Sequence, residues 1–272
     1  ASLIYLLQDL APVRSTFAWT EVTSAADWRI RMDFASVVFD NKIYMFCGFS
    51  PYGNHLTSDV WSSGDGGTTW TEVVASAPWA SRYSHSAVVL SNAIYIMGGK
   101  NPFGVHYNDV WSSGDGGVTW GEVTASAGWS ERWGQQSVVY DNSIFVMGGY
   151  GGGNYLNDVW SSLDGASWSR KTYAANWVAR IRFTSVVFNN KLHVIGGASS
   201  TLKYNDVWSS SDGITWAQET SDAGWPIREG LTSVLYDNRI YVMGGETTGS
   251  VVFNDVWSTS DSSTWTQEPT AD

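Results

Sequence analysis

Cysteine is almost absent from this sequence, with Cys47 as the one cysteine among 272 residues. A single thiol can neither close an internal disulfide nor supply a cysteine-rich zinc cluster, so both kinds of small stapled scaffold are excluded. The four histidines, His55, His85, His106 and His193, show no spacing typical of metal ligands. We expect no metal and no other cofactor, and the compartment stays open between extracellular and cytoplasmic.

Positive charge is also scarce, because 15 Lys and Arg stand against 26 Asp and Glu and give a formal net charge of -11. Such a chain repels nucleic acids and anionic membrane surfaces at long range. No apolar run approaches the roughly 18 to 20 residues of a membrane-spanning helix, and the first residues lack the pattern of a signal peptide. We therefore expect no nucleic-acid partner, no membrane insertion and no signal peptide.

Proline is limited to 6 residues, whereas Gly, Trp and Tyr are abundant at 28, 17 and 13 residues. This composition is typical of many short strands joined by tight turns, and it disfavours long helices and disordered tails. The sequence therefore predicts an all-β fold.

One repeat accounts for most of the chain. The triplet Asp-Val-Trp occurs five times at intervals of 48 to 50 residues. Each unit has an apolar run, a two-residue turn, a second apolar run, a glycine pair, a variable loop, the triplet, a Ser/Asp/Gly turn and a last strand that opens on Trp. This order predicts four antiparallel strands in each unit. The triplets begin at Asp59, Asp109, Asp158, Asp206 and Asp255.

The order of a hydrophobic run, Gly-Gly, a variable loop and a Trp at a fixed distance resembles the kelch repeat of β-propellers, as in the central domain of galactose oxidase. Cys47-Gly48 replaces the first glycine pair. The turn after each triplet also resembles an Asp box, in full at 63–70 and 113–120 and one residue shorter elsewhere. The resemblance implies one β-propeller domain over residues 1–272, with full blades at about 30–75, 80–125, 130–172, 178–220 and 226–270.

An incomplete sixth copy of the repeat precedes the five units, because Asp9 lies 50 residues before Asp59 and Trp19 lies 51 before Trp70. Only the last two strands of this copy are present, over residues 1–24. We expect five complete blades and half of a sixth, whose other half would come from sequence beyond these residues or from a larger assembly. A closed five-bladed ring is the alternative.

Each unit carries Trp-x-x-Arg just before its inner strand, on the end of the propeller that collects the variable loops. One interpretation is a cationic collar around the channel mouth that grips an acidic peptide or sugar, since guanidinium pairs bidentately with carboxylates. The kelch resemblance implies the same use. The other interpretation is that each arginine pairs with the Asp of a nearby triplet and serves the fold. The arginines are Arg31, Arg82, Arg132, Arg180 and Arg228.

The side chains next to these arginines differ between the units. Such variation on a constant scaffold indicates either that the position is free to vary or that it contacts a ligand. Trp133 follows Arg132 and is the one tryptophan outside the repeat framework, so it is the best single candidate for ligand contact. Tyr83 holds the same position in the second unit. Two positions further on, the candidates are Phe34, His85 and Phe183.

We expect a non-catalytic kelch-type binding or assembly module that recognises a protein or an acidic peptide or glycan on the Arg-collared face. Two alternatives stay open. One is a carbohydrate-active propeller, for glycan binding, glycan hydrolysis or sugar mutarotation, in which Glu229 and Tyr83 would form a catalytic pair like that of sialidases. The other is a structural subunit of a larger extracellular assembly. No nucleophile, base and third group stand out in the sequence, so catalysis is less favoured than binding.

Overall fold

The computed structural model describes residues 19–269, and their strands form five four-stranded antiparallel sheets, the blades of a propeller ring. Blade 1 consists of β1 (Ala35–Phe39), β2 (Lys42–Ser50), β3 (His55–Ser63) and β4 (Thr71–Val74). Blade 2 consists of β5 (Ser86–Leu90), β6 (Ala93–Met97), β7 (Val110–Ser113) and β8 (Gly121–Thr124). Blade 3 consists of β9 (Gln136–Tyr140), β10 (Ser143–Gly151), β11 (Asn154–Ser162) and β12 (Ser169–Thr172).

The last two blades repeat the same meander. Blade 4 consists of β13 (Thr184–Phe188), β14 (Lys191–Ala198), β15 (Lys203–Ser210) and β16 (Ala217–Thr220). Blade 5 consists of β17 (Thr232–Tyr236), β18 (Arg239–Met243), the 3-10 turn Thr248–Ser250, β19 (Val256–Thr259) and β20 (Thr266–Gln267). The inner strands of successive blades contact one another, from β1 through β5, β9 and β13 to β17. No helix in the described part of the chain is long and apolar enough to cross a membrane.

The turn between the first two strands of each blade follows directly from its sequence. Asp141 and Asn142 have φ of 47° and 53°, and Asp40 and Asn41 have φ of 46° and 57°. Two consecutive residues with positive φ form the turn that matches the twist of a β-hairpin, and Asp and Asn tolerate this conformation better than most residues. The predicted two-residue turns are confirmed.

The glycine pair lies where the second strand of a blade changes register with the third. In blade 3 the pairing shifts between Met147 and Gly149, and φ is 57° at Gly148 and 101° at Gly149. A Cβ on Gly148 would lie 2.9 Å from the ring of Phe183, and one on Gly149 would lie 3.0 Å from the carbonyl oxygen of Trp133. Both the left-handed backbone and the close approach of neighbouring segments therefore require glycine here.

The core lies between the blades, in apolar clusters that two neighbours share. Between blades 3 and 4, Phe145 and Met147 pack with Trp177, Phe183 and Trp216. The rings of Trp177 and Trp216 meet edge to face, with centroids 5.9 Å apart. Equivalent clusters join blades 1 and 2, blades 2 and 3, and blades 4 and 5. Tryptophans of the repeat framework pack between the blades at all four of these interfaces.

The structure confirms the five four-stranded blades, but not the half of a sixth blade. That half was predicted over residues 1–24, of which residues 1–18 lie outside the described part of the chain. The alternative of a closed five-bladed ring fits the described strands. A further apolar cluster of Trp28, Ile43, Met45 and Trp70 lies on the side of blade 1 that faces away from blade 2.

Candidate functional site

The five predicted collar arginines are buried, and each guanidinium is paired within its own blade. In blade 3, the Nη1 and Nη2 atoms of Arg132 lie 2.7 and 2.9 Å from the two carboxylate oxygens of Asp158. The same side chain donates from Nη1 to the carbonyl oxygen of Gly148 at 2.9 Å and from Nε to that of Ser130 at 3.1 Å. Matching ion pairs are Arg31–Asp59, Arg82–Asp109, Arg180–Asp206 and Arg228–Asp255.

This arrangement explains the Asp-Val-Trp triplet. The aspartate of the triplet accepts hydrogen bonds from the guanidinium and also from the indole N–H of the tryptophan two residues later. Asp158 accepts such a bond from Trp160 at 2.7 Å. Burial raises the pKa of Asp59, but the hydrogen bonds and charge of Arg31 outweigh it, so the pKa is lowered overall. The predicted pairing of each arginine with the aspartate of a triplet is confirmed. A ligand carboxylate would have to displace the aspartate to reach a guanidinium, and ligand contact by these arginines stays a prediction.

Aromatic side chains cover three of the guanidinium groups from the loop side. The guanidinium carbon of Arg82 lies 4.3 Å from the ring centroid of Tyr107. Arg180 lies 4.3 Å from Tyr204, and Arg228 lies 4.1 Å from Phe253. A cation over an aromatic face is attracted by the ring quadrupole, so these rings stabilise the ion pairs while they exclude water from them.

A chain of four backbone hydrogen bonds runs along the channel mouth through the residues two positions after each arginine. The N–H of Ser84 donates to the carbonyl of Asp33 at 2.8 Å, Gly134 to Ser84 at 2.9 Å, Arg182 to Gly134 at 3.2 Å and Gly230 to Arg182 at 2.8 Å. All five residues have φ between 45° and 70°. In each unit, the residue directly after the arginine is therefore held beside the mouth.

One half of the mouth is aromatic. We call Phe49, Tyr83, His106, Trp133 and Tyr150 the aromatic arc; they come from blades 1 to 3 and are half-buried. Ring centroids lie 5.3 Å apart for Phe49 and Tyr83, and 5.7 Å apart for Trp133 and Tyr150. His106 lies 6.4 Å from Trp133 and 6.1 Å from Tyr150. These contacts make an almost continuous apolar surface beside the channel.

Lys100 joins the two parts of the aromatic arc. Its ammonium nitrogen lies 3.2 Å from the ring centroid of Trp133 and 5.1 Å from that of Tyr83. Burial lowers the pKa of Lys100, and the charge of Arg182 lowers it further, while Asp33 opposes both. Within residues 19–269 the ammonium has no ion pair, so the aromatic faces are its main partners.

The other half of the mouth is charged. We call Asp33, Arg182, Lys203, Glu229 and Glu246 the charged arc. Arg182 lies 3.3 Å from the carboxylate of Asp33 and 4.0 Å from that of Glu246, and Lys203 lies 2.9 Å from Glu229. Beside it is a shallow recess of about 190 Å³, lined by residues that include Tyr155, Leu202, Lys203, Glu229 and Thr248.

Comparison with known families agrees with the repeat architecture. A family model described as the KLHDC2/KLHL20/DRC7 Kelch-repeats domain matches residues 6–149 and, in a second alignment, residues 36–211. The chain belongs to the kelch-repeat family. Kelch domains are protein-interaction propellers, so the family places this chain among interaction modules. No curated protein matches the chain.

The kelch framework explains where the other predicted contact residues lie. Tyr83 and Trp133 reach the mouth of the channel, as predicted from their position after the arginines. His85 is 6% exposed and Phe183 1% exposed, and Phe34 packs against the apolar cluster of Trp28. These three side chains lie against a glycine at the end of the second strand of their own blade, Phe34 at Gly48, His85 at Gly99 and Phe183 at Gly197. Their predicted role in ligand contact stays a prediction, and we do not include them in the proposed surface.

Sequence reasoning missed Lys100 and Phe49 as members of the site. A signal was present, because each is the first residue after the glycine pair of its kelch unit or its Cys-Gly equivalent. The structure pairs these residues by isolated bridges with the position after the arginine, Phe49 with Met32, Lys100 with Tyr83 and Tyr150 with Trp133. Reading the two positions as a pair would have found the arc.

The histidines do not form a catalytic or metal-binding group. His193 is 1% exposed and packs with Phe188 at 6.0 Å between ring centroids. His55 is exposed, and His85 is buried. Among residues 19–269, no group of three or more His, Cys, Asp or Glu side chains is placed to hold a metal ion.

The turns that resemble Asp boxes stabilise hairpins at the opposite end of the propeller. Asp115 accepts hydrogen bonds from the hydroxyl of Ser113 at 2.8 Å and from the N–H of Thr119 at 3.0 Å. Hydrogen bonds from the hydroxyl and N–H of Thr119 lower the pKa of Asp115 to about 2. The indole of Trp120 donates to the carbonyl of Gly117 at 2.9 Å. Nothing in this arrangement reaches the loop face.

Cys47 takes the first glycine position of its kelch unit and is fully buried. The indole N–H of Trp79 lies 3.1 Å from its sulfur. The indole nitrogens of Trp129, Trp177 and Trp225 are buried without a partner in the described part of the chain, so the thiol satisfies a donor that three other interfaces leave unpaired. Burial raises the pKa of Cys47 to about 12.

We expect Cys47 to be unreactive in the folded protein, because a thiol reagent attacks the thiolate and needs access to the sulfur. At pH 8 a chromogenic disulfide reagent should label the native chain at least ~100-fold more slowly than the urea-unfolded chain. The unfolded sample also serves as the control, since it should release one equivalent of chromophore per chain. Native labelling at the unfolded rate would contradict the buried position.

Proposed function

We propose that this kelch propeller binds a segment of a partner protein on its loop face, with the aromatic arc as the main contact. The observation that carries the proposal is the set of half-buried aromatic side chains at the channel mouth, in two groups that Lys100 joins. Tyr and Trp supply large, rigid contact areas and are enriched among the residues that dominate binding energy. Membership of the kelch family supports the same conclusion.

The charge of the partner is not set by the arginines. Each guanidinium of the predicted collar is neutralised by an aspartate, so an acidic ligand gains no free cation there. The ion pairs instead hold the two segments that present Tyr83 and Trp133. We therefore assign the arginines to positioning of the surface and the aromatic arc to contact.

No specific contact in the described part of the chain favours carbohydrate chemistry or a purely structural role. Glu229 is 2.9 Å from Lys203, and Tyr83 packs against Phe49 and Lys100, so neither side chain is poised as the catalytic pair considered from sequence. Binding without turnover is the function that the arrangement supports best.

A displayed library of random peptides, selected on the wild-type propeller, tests this surface although the natural partner is unidentified. Enriched peptides should lose about 30-fold or more in affinity for the Trp133→Ala variant, because central aromatic contacts contribute roughly 2 kcal/mol or more. Tyr83→Ala should act in the same direction. Affinities would be measured by titration with fluorescent peptide.

The matched control is Tyr173→Ala, since Tyr173 is 76% exposed but follows the outermost strand of blade 3, away from the mouth. This variant should bind the enriched peptides as the wild type does. Thermal melting of all three variants separates loss of contact from loss of fold. Wild-type affinity in a folded Tyr83→Ala/Trp133→Ala double variant would place the binding surface elsewhere.

A further inference from the structure

We propose that the aromatic arc contains a cation site, that Lys100 occupies it in the unbound protein, and that an alkylammonium side chain of the partner displaces Lys100 on binding. The proposal rests on the loop face being the binding surface and adds the chemical class that it recognises. The ligand group is a lysine side chain, and its trimethylated form is expected to fit best.

The position of Lys100 carries the argument. Its ammonium nitrogen lies over the ring of Trp133, 3.2 Å from the centroid, and also faces Tyr83 at 5.1 Å. This is the geometry in which aromatic rings bind organic cations, and two or more rings around one cation form the cages that recognise methylated lysine. The molecule therefore already holds an alkylammonium group at the proposed seat.

The partners of Lys100 differ from those of the other lysine at the mouth. Lys203, on the other half of the mouth, lies 2.9 Å from the carboxylate of Glu229. Lys100 has no such partner in residues 19–269, although it is half-buried and close enough to Arg182 to be repelled by it. A partly buried ammonium without a carboxylate loses part of its hydration, and the faces of the two rings offset that loss.

Displacement of Lys100 is feasible because the side chain is flexible and only half-buried, with solvent access at the mouth. The attraction of one exposed or partly buried cation–π pair corresponds to a factor of about 2 to 30 in an equilibrium constant. A trimethylammonium group binds the same rings but is more weakly hydrated than an ammonium, so it loses less on leaving water. It should therefore compete well against the tethered lysine.

The charges of the molecule favour a cationic partner. The chain carries a formal net charge of -11, which attracts cations at long range. Asp33, Glu229 and Glu246 lie across the mouth from the aromatic arc. They can accept hydrogen bonds from polar groups next to a cationic side chain seated on Trp133.

Removing the lysine should expose the site. Ala198 has the same position in the fourth unit, after Gly196-Gly197, and is paired there with Ile181, so alanine is compatible with this part of the framework. The Lys100→Ala variant is therefore expected to keep the fold and to leave the seat free. Lys100→Met, which retains an uncharged side chain of similar reach, is the second variant if the first does not fold.

The experiment titrates N-acetyl trimethyllysine methylamide into the wild type and Lys100→Ala and follows tryptophan fluorescence and the indole N–H resonances. We expect the variant to bind at least threefold more tightly than the wild type. The neutral carbon isostere, with a tert-butyl group in place of trimethylammonium, should bind at least threefold more weakly than the cation. Lys100→Ala/Trp133→Ala should show no saturable binding.

Equal binding of the cation and its neutral isostere would overturn the proposal, because the seat would then be merely apolar. No saturable change in folded Lys100→Ala, or in Lys100→Met, would overturn it as well. The titration needs no partner protein, so its failure is separate from that of the proposed function. Library peptides that depend on Trp133 while the cation does not bind would leave the proposed function intact and remove only the cation site.

Discussion

Replacing Arg132 by methionine should lower the free energy of unfolding by about 3–5 kcal/mol, the cost typical of leaving one partner of a buried ion pair behind. The side chain of Arg132 is 1% exposed and that of Asp158 is 14% exposed. The variant would leave the Asp158 carboxylate without its cation and the carbonyls of Gly148 and Ser130 without their donor. Urea unfolding followed by tryptophan fluorescence measures the effect.

Two further variants make this prediction specific. Arg182→Met removes a half-exposed arginine whose nearest carboxylate, on Asp33, lies 3.3 Å away, so we expect a loss of no more than about 1 kcal/mol. Arg132→Met/Asp158→Asn removes the orphaned charge but keeps an acceptor for the indole of Trp160, and it should recover part of the loss. A cost below about 1 kcal/mol for Arg132→Met would show that the pair contributes little to the fold.

Acidification from pH 6.5 to 4 should destabilise the protein through His85 by about 3 kcal/mol. Burial lowers the pKa of His85 to about 3, the nearby charge of Arg82 lowers it further, and Asp109 opposes these effects. Neither ring nitrogen of His85 has a hydrogen-bond partner in the described part of the chain. The folded state therefore holds this imidazole neutral.

The direction of this change in stability is set by where the proton binds. Between the unfolded pKa of about 6.5 and the folded pKa of about 3, the unfolded chain binds a proton at His85 that the folded chain does not, so stability falls as the pH falls. His193, whose pKa burial lowers to about 4, adds to the loss over the same range. The exposed turn aspartates act later, because the pKa of Asp65 and Asp115 is about 2 and their contribution is lost only below their ordinary value near 4.

The test compares His85→Gln with the wild type by urea unfolding at several pH values from 7 to 4. Glutamine holds the same position in the third unit, as Gln135, where its amide donates to the carbonyl of Met97 at 3.0 Å. The variant should show a shallower decline of stability with acid, and the exposed His55→Gln control should follow the wild type. An unchanged slope in His85→Gln would mean that the buried imidazole is not the source of the acid sensitivity.

Much of the fold could be predicted because each repeat carries its own local instructions. Pairs such as Asp141-Asn142 predict a tight hairpin turn, and alternation in the adjoining runs predicts strands with one face toward each neighbouring blade. These signals recur five times, so the strand and turn predictions for one unit are supported by those for the other four. The half of a sixth blade was a weaker prediction, because only the last two strands of that repeat are recognisable in residues 1–24.

The candidate site was only half predictable. Trp133 and Tyr83 stood out because they break the repeat at a position that the framework leaves free. Lys100 did not, because its contact with Trp133 joins blades 2 and 3 and depends on the path of the chain after the glycine pair. Spacing along the chain does not show which side chains of two blades face each other.

The sequence by itself determined the kelch repeat, the five blades and the positions at which the units differ, since turn chemistry, strand pattern and glycine requirements act over a few residues. Only the tertiary structure decided that the arginines face aspartates within their own blades and that a lysine rests on Trp133. The direction of a long side chain depends on partners that lie tens of residues away in the chain. Burial and pairing at that distance are properties of the assembled ring.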